Sequence, residues 1–172
     1  MTACAGLIRS LWNINMIKRK IEIVFVCLGN YCRSPMAEAI FNKFAEEDGL
    51  SDQFIVSSAG TKNWDVGLRP DPRTLEILEE NGYPISNKKR ARLITKDEIK
   101  DADFLIAMTQ GIADELGNGE NVHVLLAFVD DMDSKDIPDP YPTNTFPQAF
   151  RLIELGMRAF YAYLKQTKLN EK

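Results

Sequence analysis

A cysteine stands where a strand-like run ends, in the stretch VFVCLGNYCRSPMAE at residues 24–38. Cys27 precedes a short loop that ends at Arg33. A loop between a strand and a helix can turn its backbone N–H groups inward and bind an anion. The same positive field favours the thiolate of a cysteine, and an arginine offers two parallel donors to phosphate oxygens. The stretch therefore predicts phosphoryl transfer, with Cys27 as the nucleophile and Arg33 as a phosphate ligand.

The residues between Cys27 and Arg33 are predicted to shape the anion cradle. Gly29 relieves the steric limits on a tightly curled loop. Asn30 either adopts a left-handed conformation or anchors the loop through its amide. Leu28 and Tyr31 would present their backbone N–H groups to the anion, which leaves their side chains free to form the rim.

The dipeptide Ser34-Pro35 predicts the start of a helix, because Ser is a good N-cap and Pro suits the first helical position. The Ser34 hydroxyl is also placed to donate to the Cys27 thiolate, which would make the thiolate a better leaving group. Apolar residues then recur at helical spacing, which predicts a buried face formed by Met36, Ala37, Ile40, Phe41 and Phe44.

Cleavage of a phosphoester requires a proton donor for the departing oxygen. The chain has one histidine, His123, within a predicted strand, where a structural role is expected. A carboxylic acid is therefore the predicted donor. Asp139 is the first candidate, because Pro138 and Pro140 stiffen its backbone on both sides. The competing candidates form a solvated acidic run: Asp130, Asp131, Asp133 and Asp136.

A cysteine in this position has other common roles. Cys27 and Arg33 alone would be more typical of a buried cysteine at the end of a core strand. The preceding strand, Gly29 and Ser34-Pro35 favour the nucleophile. A metal site is not expected, because Cys27 and Cys32 have no Cys or His partners at useful spacing. No Gly-Lys-Ser/Thr sequence follows the loop, so a nucleotide-binding loop is not expected either. The sequence thus predicts no metal and no cofactor.

Strands alternate with helices along the chain, which predicts a single-domain α/β fold with a doubly wound, four-stranded parallel sheet flanked by helices. Predicted strands cover residues 21–26, 53–57, 104–108 and 122–126. Helices are predicted after Asp71-Pro72, after the Thr95 capping box, around residues 112–116 and after a loop at 130–147. Ligands bind beyond the carboxyl ends of such strands, and Cys27 lies at the first of these ends.

The composition limits the classes of partner. The 172 residues are 45% hydrophobic, which suits one domain with a substantial core. The net charge of −4 argues against nucleic-acid binding. No segment resembles a signal peptide or a membrane span. Three cysteines without a secretory signal favour a reducing compartment, so a cytoplasmic protein without a membrane partner is expected.

Several segments resemble the low-molecular-weight protein tyrosine phosphatase family: VCLGNYCRSPMAE, SSAGT, RPDPR, DADFLIAM and DPY. The resemblance implies a phosphatase domain at residues 21–168, with an extension at 1–20 and a tail at 169–172. It implies that Cys27 attacks, that Arg33 binds the phosphoryl group and that Asp139 is the general acid. The implied partners are phosphotyrosine proteins or small aryl phosphates, with a phosphate- or sulfate-type anion in the loop. The implied state is a monomer or a weak dimer.

The resemblance also implies roles around the loop. Asn30, Ser34 and Ser58 match residues that brace the loop, and Cys32 matches a second cysteine that forms a reversible disulfide with the nucleophile. Lys89 stands where the family often has a histidine, which implies a rebuilt bracing network.

The substrate rim departs from the family pattern at two positions. Tyr31 replaces a smaller aliphatic residue, and Tyr141-Pro142 replaces a pair of tyrosines. Together with Trp64, Tyr31 and Tyr141 predict a deep aromatic slot. Such a slot favours a phosphotyrosine ring over phosphoserine, which would not reach a thiolate at the bottom.

Three alternatives to a tyrosine phosphatase remain open from the sequence. An arsenate reductase would need two further cysteines, and after Tyr31 the chain offers Cys32 alone. A protein-arginine phosphatase tends to carry a small polar residue where this chain has Tyr31. A non-catalytic phosphate-binding or redox-sensing module would not require Cys27, Arg33 and Asp139 together.

Overall fold

A four-stranded parallel sheet organises the part of the chain that the computed structural model describes, residues 19–169. The strands are β1 (Ile21–Cys27), β2 (Phe54–Gly60), β3 (Phe104–Ala107) and β4 (Val122–Val124). They lie in the order β2-β1-β3-β4. Cys27 pairs with Gly60 at the carboxyl ends of β1 and β2, so both strands end at the same edge of the sheet.

Six helices flank the sheet within residues 19–169: α1 (Arg33–Glu47), α2 (Pro72–Glu80), α3 (Lys96–Asp101), α4 (Gln110–Glu115), α5 (Pro140–Thr143) and α6 (Phe146–Thr167). Helices α1, α2 and α6 contact one another. The crossovers from β1 to β2 and from β3 to β4 step in opposite directions along the sheet. Right-handed crossovers therefore place α1 and α4 on opposite faces, which is the doubly wound arrangement that the sequence predicts.

The strand that carries the cysteine is deeply buried over its second half. Residues 23–26 of β1 have no solvent exposure, because β1 lies between β2 and β3 and helices cover the sheet. Its Phe25 ring packs against Phe41 of α1 and Phe160 of α6. Helix α6 buries one apolar stripe, formed by Phe150, Ile153, Met157, Phe160 and Leu164. Cys27 thus ends a strand that is held on both faces.

Several element boundaries differ from the predicted ones. Strand β2, predicted at 53–57, continues to Gly60. Helix α1 begins at Arg33 after Cys32, so Ser34 lies inside the first turn and is not the N-cap. Strand β4 ends at Val124 and gives way to a 3-10 turn at Leu125–Phe128. The predicted loop at 130–147 contains α5 and the first residues of α6. Phe44, predicted to be buried, is half-buried.

Two predicted regions fall largely outside the described residues. The extension at 1–20 is described at Arg19 and Lys20 alone, and the tail at 169–172 at Leu169 alone. Arg19 pairs with Asp103 at 2.5 Å. Across residues 19–169, no helix has the length and apolar character to cross a bilayer.

Candidate active site

A pocket of about 220 Å³ opens at the carboxyl edge of the sheet, where the β1–α1 loop meets two other loops. Its lining residues are Cys27, Leu28, Gly29, Tyr31, Cys32, Arg33, Trp64, Asp65, Asp139 and Tyr141. Three predicted residues, Asn30, Ser34 and Ser58, lie buried outside this lining. A larger cavity of about 510 Å³ lies beside α2, but neither cysteine nor the β1–α1 loop lines it.

Cys27 lines the pocket and is buried, with 3% of the residue exposed. Its Sγ atom is 3.0 Å from the hydroxyl oxygen of Ser34. Ser34 lies in the first turn of α1 and does not cap the helix. Its hydroxyl contacts the Cys27 thiol instead. This contact can stabilise a thiolate, because a hydroxyl donor favours the charged form of its acceptor.

Asn30 holds the loop by both routes that the sequence suggests. Its backbone has a φ of 55°, in the left-handed region that Asn tolerates better than most residues. Its amide nitrogen donates to the hydroxyl oxygens of Ser34, at 2.9 Å, and Ser58, at 2.8 Å. Its amide oxygen accepts from the backbone N–H of Arg92 at 3.1 Å. The fully buried side chain thus ties the loop to β2 and to the segment before α3.

Glu38 and Lys89 complete this hydrogen-bond network. The Ser58 hydroxyl donates to Glu38 at 2.5 Å, and the Lys89 ammonium lies 2.6 Å from the same carboxylate. Because Ser58 gives its hydrogen to Glu38, its oxygen is free to accept from Asn30. The Ser34 oxygen also accepts from Asn30. Its hydroxyl hydrogen can therefore be donated to the Cys27 sulfur or to the backbone carbonyl of Ala59, which lies at 3.3 Å. Lys89 therefore takes part in the network that holds the loop.

Arg33 is buried in the first turn of α1, with 3% of its surface exposed. One of its terminal nitrogens donates to the carbonyl of Ile137 at 2.9 Å. The other lies 3.4 Å from the Asp139 carboxylate. The guanidinium therefore reaches the segment that carries the predicted general acid.

Asp139 lines the pocket, whereas its competitors do not. Its carboxylate accepts from the backbone N–H of Tyr141 at 3.1 Å and caps α5. The Asp136 carboxylate accepts instead from the backbone N–H of Gln110 at the start of α4, at 2.7 Å. The exposed residues Asp130, Asp131 and Asp133 lie away from the pocket lining. Geometry thus separates Asp139 from the other acids of this segment.

Aromatic side chains form one side of the pocket mouth. The rings of Tyr31 and Tyr141 are 6.2 Å apart, and Trp64 is 67% exposed. Burial, followed by the nearby charges of Asp71 and Asp65, raises the pKa of Tyr31. Its phenol therefore stays neutral at physiological pH, and the rim offers uncharged rings to a substrate.

The two cysteines of the loop differ in their environments. Burial raises the pKa of the Cys32 thiol strongly, and Asp71, Cys27 and Asp139 add to the effect. Cys32 therefore stays a neutral thiol near pH 7. It does not compete with Cys27 as the attacking group, since the thiolate is the nucleophilic form.

Some residues of the site were not predicted from the sequence. Asp65 lines the pocket. It could have been predicted from its position in the loop TKNWDVG, directly after the predicted rim residue Trp64. Glu38 lies one helical turn after Ser34. It could have been predicted as the one acidic residue in the first turns of a helix that is otherwise buried there. Gly60, within the SSAGT segment, packs against the loop backbone, a contact for which the sequence carries no signal.

The chain matches known proteins over most of its length. A sequence model of the family described as low molecular weight phosphotyrosine protein phosphatase matches residues 22–170. The low molecular weight protein-tyrosine-phosphatase YfkJ of Bacillus subtilis is 37% identical over 157 residues, which cover 86% of this chain and 98% of YfkJ. The low molecular weight phosphotyrosine protein phosphatase of Schizosaccharomyces pombe is 41% identical over 130 residues, covering 72% of this chain and 82% of that protein.

Solved structures show the same relationship. The crystal structure of YfkJ matches with a TM-score of 0.83 at 36% identity, covering 87% of this chain and 98% of YfkJ. The crystal structure of a Drosophila arginine phosphatase matches with a TM-score of 0.78 at 29% identity, covering 86% of this chain and 100% of the other. Since the family model spans most of the sequence and the fold agrees, the chain belongs to the low molecular weight phosphotyrosine protein phosphatase family.

Proposed function

We propose that this protein hydrolyses phosphotyrosine and aryl phosphates through a phosphocysteine intermediate, without a metal or other cofactor. The observation that carries the proposal is the meeting of Cys27, Arg33 and Asp139 in one pocket. A thiolate, a bidentate phosphate ligand and a carboxylic acid are the three groups that this reaction needs.

The reaction takes place in two steps. The Cys27 thiolate attacks phosphorus, Arg33 binds the phosphoryl oxygens, and protonated Asp139 gives its proton to the departing phenolic oxygen. A water molecule then attacks the phosphocysteine, and Asp139, now a carboxylate, takes a proton from that water. The S–P bond breaks to release phosphate and the thiolate, which the Ser34 hydroxyl stabilises by donating a hydrogen bond at 3.0 Å.

The pocket mouth supports phosphotyrosine as the substrate class. Tyr31, Trp64 and Tyr141 provide aromatic walls that a phenyl ring can contact in the pocket that Cys27 lines. YfkJ is named a protein-tyrosine-phosphatase and the fission yeast relative a phosphotyrosine protein phosphatase. Leu28, Gly29 and Cys32 line the same pocket, and we assign the loop backbone to phosphate binding.

Phosphoarginine is the second candidate substrate, because the Drosophila arginine phosphatase shares the fold. The bulky Tyr31 argues against it. Arsenate reduction is disfavoured because the chain has too few cysteines after residue 31. We further propose a cytoplasmic enzyme, monomeric or weakly dimeric, in which Cys32 traps an oxidised Cys27 as a disulfide.

Substitution of the nucleophile tests the proposal. Cys27→Ser is expected to reduce turnover of p-nitrophenyl phosphate and of a phosphotyrosine peptide by at least about a thousandfold, because the thiolate is lost. Its affinity for inorganic phosphate should stay within a few-fold of the parent. Cys32→Ser, in the same loop, is the matched control and should keep most of the activity.

The measurements are steady-state rates across pH and phosphate binding by calorimetry. Phosphoserine and phosphoarginine peptides should be compared with the phosphotyrosine peptide. Undiminished turnover by Cys27→Ser would refute the nucleophile assignment. A preference of the parent enzyme for phosphoarginine would replace the proposed substrate class.

A further inference from the structure

Arg73, the second residue of α2, forms polar contacts with two segments beside the pocket. Its Nε and Nη2 atoms donate to the two carboxylate oxygens of Asp71, at 2.9 and 2.8 Å. Its Nη1 atom donates to the side-chain oxygen of Asn144 at 3.0 Å. Asn144 lies between α5 and α6, five residues after Asp139. One guanidinium therefore joins the start of α2 to the segment that carries the proposed general acid.

Two aromatic rings of the same segment lie against this guanidinium. Its central carbon is 4.3 Å from the ring centre of Phe146 and 5.3 Å from that of Tyr141. A planar cation over an aromatic face gains electrostatic and packing energy. Tyr141 follows Asp139 by two residues, and its backbone N–H donates to the Asp139 carboxylate. Arg73 thus contacts α5 itself, at Tyr141, and the residues that follow it.

Asp71 connects this contact to the phosphate-binding loop. The backbone N–H of Asp71 donates to the carbonyl of Tyr31 at 3.0 Å. Burial opposes ionisation of the Asp71 side chain, but hydrogen bonds from Arg73 outweigh it and hold the pKa below its usual value. Asp71 is therefore a carboxylate near neutral pH and pairs bidentately with Arg73. A continuous chain of polar contacts runs from the loop at Tyr31 to Asn144.

Arg33 also contacts the acid segment, through the carbonyl of Ile137 and the Asp139 carboxylate. The backbone N–H of Ile137, two residues before Asp139, donates to the carbonyl of Met108. A bound phosphoryl group competes for the donors of Arg33. The contact between Arg33 and Asp139 is therefore an unreliable anchor during the reaction, whereas Arg73 is not part of the pocket lining. We propose that Arg73 is a positioning residue, which holds the Asp139 segment where the carboxylic acid can protonate the leaving group. This inference rests on the proposed phosphatase function.

Leaving-group dependence tests the inference, because a misplaced general acid matters most when the leaving oxygen is strongly basic. Arg73→Met should lower kcat/KM for phenyl phosphate about tenfold or more. The same variant should lower kcat/KM for p-nitrophenyl phosphate much less, because the nitrophenolate departs with little help from a proton. The ratio of the two values is the readout, since a general loss of folded enzyme would leave it unchanged.

A second variant removes the contact from the other partner. Asn144 has a φ of 56°, so Asn144→Gly keeps the left-handed backbone without strain and deletes the acceptor of Arg73. It should change the ratio in the same direction as Arg73→Met. Asn144→Asp, which keeps an acceptor oxygen, should stay close to the parent ratio.

Arg158→Met is the matched control. Arg158 of α6 also pairs with a carboxylate, that of Glu154, and lies 5.2 Å from an aromatic ring, that of Phe44, away from the pocket. Its ratio should equal the parent value. Equal losses on both esters in Arg73→Met and Asn144→Gly, or no loss, would overturn the positioning role. Failure of the parent enzyme to hydrolyse either ester would overturn the proposed function as well.

Discussion

Asp65 places a second carboxylate in a pocket that must accept a phosphate dianion. Its side chain lies against Gly29, where an added Cβ would be 2.2 Å from a carboxylate oxygen. Within residues 19–169 the Asp65 carboxylate has no hydrogen-bond or ion-pair partner. Burial, followed by the charges of Asp139 and Asp71, raises the pKa of Asp65. Its charge is therefore costly, and substrate recognition is expected to respond to it.

Removal of this charge should improve the capture of acidic substrates. Asp65→Asn is expected to raise kcat/KM for a phosphotyrosine peptide with acidic neighbours about three- to tenfold at low salt, because repulsion at the pocket mouth is lost. The gain should shrink at high salt, which screens exposed charges. Stopped-flow or steady-state rates at two ionic strengths measure both effects.

A distant acid and a second peptide control this prediction. Asp52 is exposed in the turn before β2, at the opposite edge of the sheet from the pocket. Asp52→Asn should leave kcat/KM unchanged. A peptide with basic neighbours should gain less than the acidic one, or lose. An equal effect of Asp65→Asn on both peptides would show that the Asp65 charge does not select among substrates.

Local sequence was sufficient to select three residues that the fold brings together. Cys27 and Arg33 follow from a strand, a short loop and a helix start, and Asp139 stands out through its flanking prolines; all three line one pocket. Asp65 and Glu38 were missed because their roles depend on contacts with residues distant in sequence, such as Gly29 for Asp65 and Ser58 for Glu38. Roles set by such contacts leave little trace in a single sequence.

At the scale of elements, the end of β2 supports the phosphate-binding loop. Gly60 pairs with Cys27, and an added Cβ would lie 2.4 Å from the carbonyl oxygen of Leu28 and 2.9 Å from the backbone nitrogen of Asn30. Backbone atoms cannot move aside as a flexible side chain can. The absence of a side chain at this position lets the loop approach the sheet.

Gly60→Ala should therefore displace the loop and disable the site. We expect kcat/KM for p-nitrophenyl phosphate to fall about a hundredfold, which is the order of effect for a misplacement near 1 Å. Phosphate affinity should fall in parallel, because the loop binds the anion. Enzyme kinetics and calorimetric phosphate titration measure the two quantities.

Gly111 provides the matched control within the same chain. It lies in α4, where an added Cβ has as its nearest neighbour the Thr109 hydroxyl at 3.9 Å. Gly111→Ala should keep full activity and stabilise the protein by up to about 1 kcal/mol, since Ala is the better helix former. A Gly60→Ala enzyme with normal kinetics would show that the loop tolerates a shift.

Element boundaries could be predicted where capping chemistry is local. Asp71 caps α2 and Thr95 forms a capping box with Glu98 at α3, both as the sequence indicates. The start of α1 was misplaced because Ser34 uses its hydroxyl in the buried network and not as a cap. The short α5 was missed because its N-cap is Asp139, which the sequence marks as a catalytic acid.

At the scale of the whole molecule, the alternation of strands and helices predicted the sheet and its parallel direction, since topology follows from chain order and handedness. The placement of the single histidine on β4 was also predictable, but its environment was not. The His123 ring lies beside the rings of Phe104 and Phe128, and the distance between ring centres is 5.7 Å in each pair. Burial lowers the pKa of His123.

This environment predicts a pH-dependent stability. Because the folded-state pKa lies below the unfolded value of about 6.5, the unfolded chain binds more protons on acidification. The contribution of His123 is therefore fully present above about pH 6.5 and is lost progressively as the pH falls from that value through the lower folded-state pKa. Denaturant unfolding between about pH 7.5 and 5 should show a declining free energy in the parent and a flatter profile in His123→Gln.

A second decline is expected below about pH 4, where carboxyl groups with depressed pKa values take up protons. Hydrogen bonds from Arg73 lower the pKa of Asp71 although burial opposes this effect. Hydrogen bonds from Arg92 and Thr95 lower the pKa of Glu98, again against the effect of burial. His123→Gln should keep this second decline, which makes it an internal control for the first. Since the chain contains no other histidine, a parent-like slope in the variant above about pH 5 would assign the first decline to groups other than His123.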